Sequence, residues 1–172
     1  MDDPNDLTRS RTYTWSDPMS AAQAGRSLSG LEYMQKLLAG EFPPPPIAAT
    51  MGFRLAEVEF GRAVFEIVPA EYHYNPIGIV HGGLAATLLD SALGCAIHTT
   101  LPAGTGYSTL ELHVNLVRGI TAQTGLLHCE GKVIHAGRQV ATAEARLVDA
   151  QGKLYAHGTT TCIIFSPGKS SQ

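Results

Sequence analysis

The chain has 172 residues, of which 44% are hydrophobic and 16% are charged, and its formal net charge is −3. This length is typical of a single domain, and the hydrophobic content is sufficient for a buried core. The slightly acidic charge gives no chain-wide basic surface of the kind that binds nucleic acid or an anionic membrane. We therefore expect neither as a partner.

The cysteines and the acidic N-terminal residues bear on the cellular location of the protein. Cys95, Cys129 and Cys162 lie in apolar runs without C-x-x-C spacing. An odd number of such cysteines is typical of buried, reduced thiols, which predicts a cytoplasmic location. Residues 1–6 are acidic and lack the apolar stretch of a secretory signal.

The first 46 residues predict an extension that lies outside the core. Residues 1–28 are polar, and we expect them to be mostly disordered. Ser29 is a suitable N-cap for a short helix over residues 30–39. The four prolines at 43–46 predict a stiff spacer between this helix and a domain over residues 47–166. Residues 167–172 are expected to form a tail.

The remaining sequence predicts one helix among six strands. The expected strands cover residues 55–60, 63–68, 110–116, 124–134, 139–148 and 154–165, and the helix covers 82–99. Short turns between strands favour an antiparallel sheet. Because the helix is apolar almost all round, it must be wrapped by the sheet and covered on its remaining side. This predicts an α+β hotdog fold, in which an antiparallel sheet wraps one long central helix.

Asp90 is the only formally charged side chain between Gly82 and His98. A carboxylate on an apolar helix is costly unless it is paired or used in chemistry. The helix opens with Gly82 and Gly83, where unpaired N–H groups carry partial positive charge. The combination suggests acyl transfer. Two structural alternatives stay open: the glycines allow close packing, and Asp90 bonds Thr87 or Ser91.

Three segments carry a family resemblance. They are Asn-Pro-Ile-Gly-Ile-Val-His-Gly-Gly at 75–83 with Asp90 nine residues after the histidine, Thr-Leu-Glu-Leu-His-Val-Asn at 109–115, and the Gly-Arg turn at 137–138. With these motifs, residues 51–165 resemble the PaaI-like (4-hydroxybenzoyl-CoA thioesterase-type) hotdog-fold acyl-CoA thioesterases. Gly119 departs from the family pattern, which usually has a proline there, and this affects a turn rather than the chemistry.

The resemblance implies hydrolysis of an acyl-CoA to a free acid and CoA. It implies that the Gly82 N–H polarises the carbonyl, and that Asp90 acts as general base or nucleophile. The other implied catalytic residues are Asn75, which orients water or substrate, His81, which positions the carbonyl or its loop, and Thr109, which helps to place the water beside the carboxylate. Ser108 is the register alternative to Thr109. The expected substrate-binding residues are Gly83, Ser108, Gly137 and Arg138.

Other site chemistries find less support. The histidines show no metal-ligand spacing and the chain has no G-x-S-x-G elbow, so we expect no metal, no cofactor and no serine nucleophile. The main alternative function is a non-catalytic acyl-CoA-binding or sensing hotdog protein. A hotdog hydratase is a third reading, but its His–acid motif is not seen. Two groups of side chains stay open: Arg118, Lys132 and Arg138 either reach CoA phosphates or are surface charge, and Tyr72, Tyr74 and Tyr107 are candidate walls of an acyl pocket.

The helix geometry predicts an assembly. Eight residues separate Gly82 from Asp90, which at ~1.5 Å per residue places them about 12 Å apart along the axis. One reacting carbonyl cannot meet both groups of the same chain. An antiparallel helix from a second subunit would bring Gly82 of one chain to Asp90 of the other and create two equivalent sites. The resemblance further implies that such dimers pair into a homotetramer.

Overall fold

The computed structural model describes residues 8–165. It contains the helices α1 (Pro18–Gly25), α2 (Gly30–Leu38), α3 (Pro46–Met51) and α4 (Gly82–His98), and the strands β1 (Phe53–Glu59), β2 (Arg62–Ile67), β3 (Gly106–Leu116), β4 (Leu127–Ala136), β5 (Val140–Asp149) and β6 (Leu154–Phe165). The predicted tail at 167–172 lies outside the described residues.

The six strands form one antiparallel sheet in the order β1-β2-β4-β5-β6-β3. β1 and β3 are therefore its edges. α4 packs across one face of this sheet, which is the predicted hotdog arrangement. The expected order of two strands, one helix and four strands is confirmed.

Small side chains on the inner face of the sheet let α4 approach closely. Ala141, Ala143 and Ala145 alternate along β5 and are almost fully buried. A Cβ added to Gly131 of β4 would collide with the carbonyl of Ala92 in α4. The helix supplies the large side chains of the core, and Leu88, Leu89, Leu93 and Ile97 have no exposed surface. Each such side chain contributes about 1.5–3 kcal/mol when buried.

The N-terminal region contains two helices, one of which the sequence did not predict. The segment expected to be disordered contains α1, which Asp17 caps through a 3.0 Å bond from Met19 N–H and which buries Ala21. The predicted helix after Ser29 is present and has a capping box with Glu32. It packs on the domain and buries Met34.

The four prolines do not form a separate spacer. Pro46 occupies the first turn of α3, where its fixed φ suits the helix and its missing N–H is not needed. Pro43, Pro44 and Pro45 line a small cavity with Tyr33 and Tyr107, so the segment packs against the domain. Its conformation is determined by these contacts as well as by proline stiffness.

Several strand boundaries differ from their predictions, and the largest shift is in β3, which begins at Gly106 rather than residue 110. β4 begins at Leu127 rather than residue 124, because Thr124 closes a turn by donating its N–H to Thr121 O at 3.0 Å. Among residues 8–165, no helix is long and apolar enough to cross a membrane.

Candidate active site

The loop that leads into α4 is held by its own backbone and by Asn75. The Asn75 side-chain oxygen accepts hydrogen bonds from the N–H groups of Ile77 at 3.1 Å and Ile79 at 3.3 Å. The His81 N–H donates to His73 O at 2.8 Å. Asn75 is thus an Asx-turn residue, and its side-chain NH₂ makes no hydrogen bond within the described part of the chain.

His81 is the N-cap of α4. Its backbone is extended (φ −62°, ψ 134°), and its Nδ1 accepts the N–H of Gly83 at 2.8 Å. An accepting Nδ1 leaves Nε2 to carry the ring proton. The cap also occupies the Gly83 N–H, so Gly83 offers no free backbone donor to a substrate.

Gly82 retains an available donor. Among residues 8–165, its N–H has no hydrogen-bond partner, and the residue is half-exposed at the first position of a 17-residue helix. N–H groups at this position carry partial positive charge and attract anions. A Cβ added here would lie 2.5 Å from Cδ1 of Leu116, the end of a side chain that can move.

Asp90 is half-exposed on α4 and is bonded to the sheet. The Thr109 hydroxyl of β3 donates to Asp90 Oδ1 at 3.1 Å. Thr87 and Ser91, the alternative partners on the helix, instead bond the carbonyls of Gly83 and Thr87 at 2.9 and 2.8 Å.

The register of β3 determines which hydroxyl reaches the carboxylate. Thr109 pairs with Cys162 of β6 and faces α4, and a bulge follows at Leu110. Ser108 and Thr109 are both exposed, but consecutive strand residues point to opposite faces, and only the Thr109 hydroxyl bonds Asp90. The structure brings Thr109 rather than Ser108 to Asp90.

Sequence reasoning did not anticipate the neutral groups around Asp90. Burial raises the pKa of the Cys95 thiol to about 12, and the negative charge of Asp90 adds to the shift. Burial likewise raises the pKa of Tyr107 well above its ordinary value. Both groups remain protonated at neutral pH. The Cys162 thiol lies 3.9 Å from the Thr109 hydroxyl and donates to it. The apolar runs in the sequence indicated that the cysteines are buried, but they did not indicate that Cys95 and Cys162 lie near Asp90.

The remaining predicted binding residues lie apart from the start of α4. Gly137 and Arg138 form the β4–β5 turn, which Gly137 N–H closes by donating to Val140 O at 2.9 Å, and Arg138 is exposed. Lys132 pairs with Glu130 at 2.9 Å. Arg118 differs from them, because it lines a cavity of about 270 Å³ together with His81 and Gly82.

Within one chain, the donor and the carboxylate do not converge. Gly82 opens α4 and Asp90 lies eight residues later, about 12 Å along the axis. Within residues 8–165, no three His, Cys, Asp or Glu side chains form a group that would hold a metal ion.

Comparisons with known proteins agree on one family. A family model described as the thioesterase superfamily matches residues 77–156. The chain is 27% identical over 105 residues to a 1,4-dihydroxy-2-naphthoyl-CoA hydrolase of Listeria monocytogenes, covering 61% of this chain and 84% of that protein. It is 32% identical over 103 residues to human acyl-coenzyme A thioesterase 13, covering 59% of this chain and 71% of that protein.

A solved structure extends the match to the fold. A phenylacetic acid degradation-related protein of Ralstonia eutropha JMP134, described as a candidate thioesterase, superposes with a TM-score of 0.69 at 32% identity. The match covers 76% of this chain and 98% of that one. The resemblance inferred from the sequence motifs is confirmed.

Proposed function

The chain belongs to the thioesterase superfamily, and from this premise we propose that it hydrolyses an acyl-CoA thioester to the free acid and CoA. The observation that carries the proposal is the N–H of Gly82 at the start of α4, which has no hydrogen-bond partner in the described part of the chain. A preorganised donor there stabilises negative charge as it develops on a carbonyl oxygen, without reorganisation during the reaction.

In the proposed reaction, the thioester carbonyl accepts a hydrogen bond from Gly82, and Asp90 supplies the base or the nucleophile. As base, Asp90 removes a proton from the attacking water; as nucleophile, it forms an anhydride that water then opens. Either route forms a carbon–oxygen bond, breaks the carbon–sulfur bond and releases a thiolate that takes up a proton. Because a thiolate is a better leaving group than an alkoxide, a strong general acid is not required.

The neighbouring residues position these two groups. We propose that Thr109, which donates to Asp90 Oδ1, fixes the carboxylate and helps to hold the water. His81 would hold the turn by capping Gly83. Asn75 would hold the loop through its side-chain oxygen and offer its NH₂ to water or substrate.

We further propose that two chains complete the site. The donor and the carboxylate of one helix are too far apart to share a substrate. β3 is a sheet edge on which Leu110 is 63% and Leu116 is 58% exposed. An exposed apolar edge strand is suited to pairing with another chain. A two-fold partner at this edge would bring its α4 beside the first, with Asp90 of one chain near Gly82 of the other.

Two further parts of the proposal concern the oligomeric state and the cellular location. We propose that the dimers pair further into tetramers, as the resemblance implies. We also propose a cytoplasmic location, because Cys95, Cys129 and Cys162 are free thiols, which persist in reducing compartments.

The test is release of CoA thiol from a panel of acyl-CoA substrates by the wild type and by Asp90→Asn. We expect turnover of at least one substrate by the wild type. We expect at least about a 100-fold loss of kcat in the variant, the range of a lost general base. The circular dichroism spectrum should be unchanged. Tight acyl-CoA binding without turnover by the wild type would favour the binding-protein alternative.

A further inference from the structure

A cavity of about 570 Å³ lies on one side of the α4 N-terminus. Its volume is within the range of small-molecule sites. His81, Gly83 and Thr87 form the helix side, and Tyr72 and Tyr74 contribute aromatic surface. The opposite wall comes from the N-terminal arm, defined here as residues 8–17, through Arg11 and Tyr13.

The arm is fastened at this wall by Arg11. Its two terminal nitrogens donate to Thr50 O at 2.6 Å and to Ala49 O at 2.7 Å in the last turn of α3. Carbonyls at a helix C-terminus lack intrahelical partners and favour a cation. The guanidinium carbon also lies 4.2 Å from the ring centre of Tyr72 and 5.1 Å from that of Tyr13. These contacts place the Tyr13 ring at the cavity.

Two polar side chains of this cavity are already bonded. His73 accepts Ala70 N–H through Nδ1 at 3.0 Å, and its Nε2 bonds Met51 O at 2.8 Å. The Tyr74 hydroxyl accepts the N–H of Ala122 at 2.9 Å. The ring faces of Tyr13, Tyr72 and Tyr74 form part of the cavity lining, and this surface suits an apolar group.

A thioester has two substituents, and two cavities flank Gly82. The smaller one, of about 270 Å³, includes the exposed residue Arg118. Its Nη1 donates to Leu154 O at 2.6 Å, and its remaining N–H donors suit the phosphates of CoA. The larger one is aromatic and lies on the His81 and Gly83 side. The chemistry of the linings assigns the acyl group to the aromatic cavity.

Building on the proposed function, we propose that the N-terminal arm is the end wall of the acyl pocket. Arg11 and Tyr13 then limit the length of the acyl group. A chain that extends beyond the cavity meets the Tyr13 ring, which Arg11 holds in place. The arm thereby determines specificity without contributing to the chemical step.

The test compares hexanoyl-CoA with dodecanoyl-CoA in full-length variants. We expect the dodecanoyl-to-hexanoyl ratio of kcat/KM to rise at least tenfold in Tyr13→Ala, which removes the ring. It should also rise in Arg11→Ala, which removes the bonds to Ala49 O and Thr50 O that hold the arm at this wall. Tyr13→Phe keeps the ring and should stay within twofold of the wild type. Arg54→Ala removes an exposed arginine of β1 that pairs with Glu66, and it is the matched control.

A binding measurement separates this inference from the proposed function. Trp15 is the only tryptophan and its ring lies 5.9 Å from that of Tyr13, so its emission reports on the arm. In the Asp90→Asn background, titration should show the same tenfold shift in the ratio of Kd values. If the Kd ratio shifts but the wild type turns over no substrate, the arm is the end wall of the pocket and the proposed hydrolysis is wrong. If the wild type turns over substrate but Tyr13→Ala and Arg11→Ala leave the kcat/KM and Kd ratios unchanged, only the proposed role of the arm is wrong.

Discussion

Thr109 Oγ1 donates a 3.1 Å hydrogen bond to Oδ1 of Asp90, which joins the edge strand β3 to the middle of α4. The same hydroxyl accepts from the thiol of Cys162. A threonine that both donates and accepts has a fixed hydroxyl direction. The carboxylate is therefore held relative to the sheet rather than only by its own helix.

Replacing Thr109 by valine keeps the branched shape and removes the hydroxyl. A hydrogen bond to a charged group is worth about 1.5–3 kcal/mol, so we expect kcat to fall by about 10- to 100-fold. Thr109→Ser should retain most of the activity. Thr159→Val, on the exposed outer face of β6, is the control for a valine in this sheet. Equal activity of Thr109→Val and Thr159→Val would contradict a positioning role.

Gly82→Pro tests the backbone donor directly. Proline removes the N–H but suits the first helical position, and the extended His81 before it is compatible with proline. Gly82→Ala adds a Cβ against Leu116 and keeps the N–H. We expect kcat to fall by about 100-fold or more in the proline variant, as for a lost oxyanion donor. The alanine variant should lose much less, and equal losses in the two would argue for a steric effect.

The lowered pKa of His73 predicts that the free energy of unfolding decreases in acid. Burial lowers its pKa below the usual 6.5, and the nearby charge of Arg11 adds to the shift, against the opposing Met51 bond. The folded state therefore disfavours the protonated ring. This contribution to stability is complete above pH 6.5 and is lost as pH falls through the folded pKa.

The check is the free energy of unfolding between pH 7 and pH 5. We expect a decline in the wild type and a flatter profile in His73→Gln, whose amide can replace the donor to Met51 O. The exposed His157 of β6 provides the control, His157→Gln. A wild-type slope in His73→Gln would show that other groups cause the acid sensitivity.

Leu110→Lys tests the role of the β3 edge. Charge on an edge strand opposes pairing with another chain. We therefore expect the dimer dissociation constant to rise at least tenfold and the activity to fall as the dimer dissociates. Phe60→Lys changes another exposed apolar side chain, 72% accessible, beside the β1–β2 turn, and this variant should remain dimeric. Sedimentation velocity over a concentration series measures both. A fully active Leu110→Lys monomer would remove the need for a second chain.

The sequence predicted the sheet and the central helix because their apolar periods are long and regular. It missed α1 and α3, which have eight and six residues. Helices this short depend on tertiary contacts, such as the burial of Ala21 and Ala48. Four consecutive prolines indicate an extended segment locally, yet packing lets the last of them begin a helix.

The candidate site was predictable to the level of segments rather than atoms. The motif indicated both glycines, but only the His81 side chain decides that Gly83 N–H is occupied and Gly82 N–H is available. The choice between Ser108 and Thr109 depends on which of the two points to the α4 face of β3. The local sequence pattern does not determine this. Arg11 had no signal, because its partners lie about 40 and 60 residues away in the chain and local patterns do not report such contacts.

The most direct test of a shared site is complementation between two inactive variants. Asp90→Asn chains keep Gly82, and Gly82→Pro chains keep Asp90. Complete exchange at equal amounts makes half of the dimers mixed, each with one intact and one doubly disabled site, so about a quarter of wild-type activity is expected. Activity no greater than the sum of the separate variants, despite exchange demonstrated by mass spectrometry, would contradict the two-chain site.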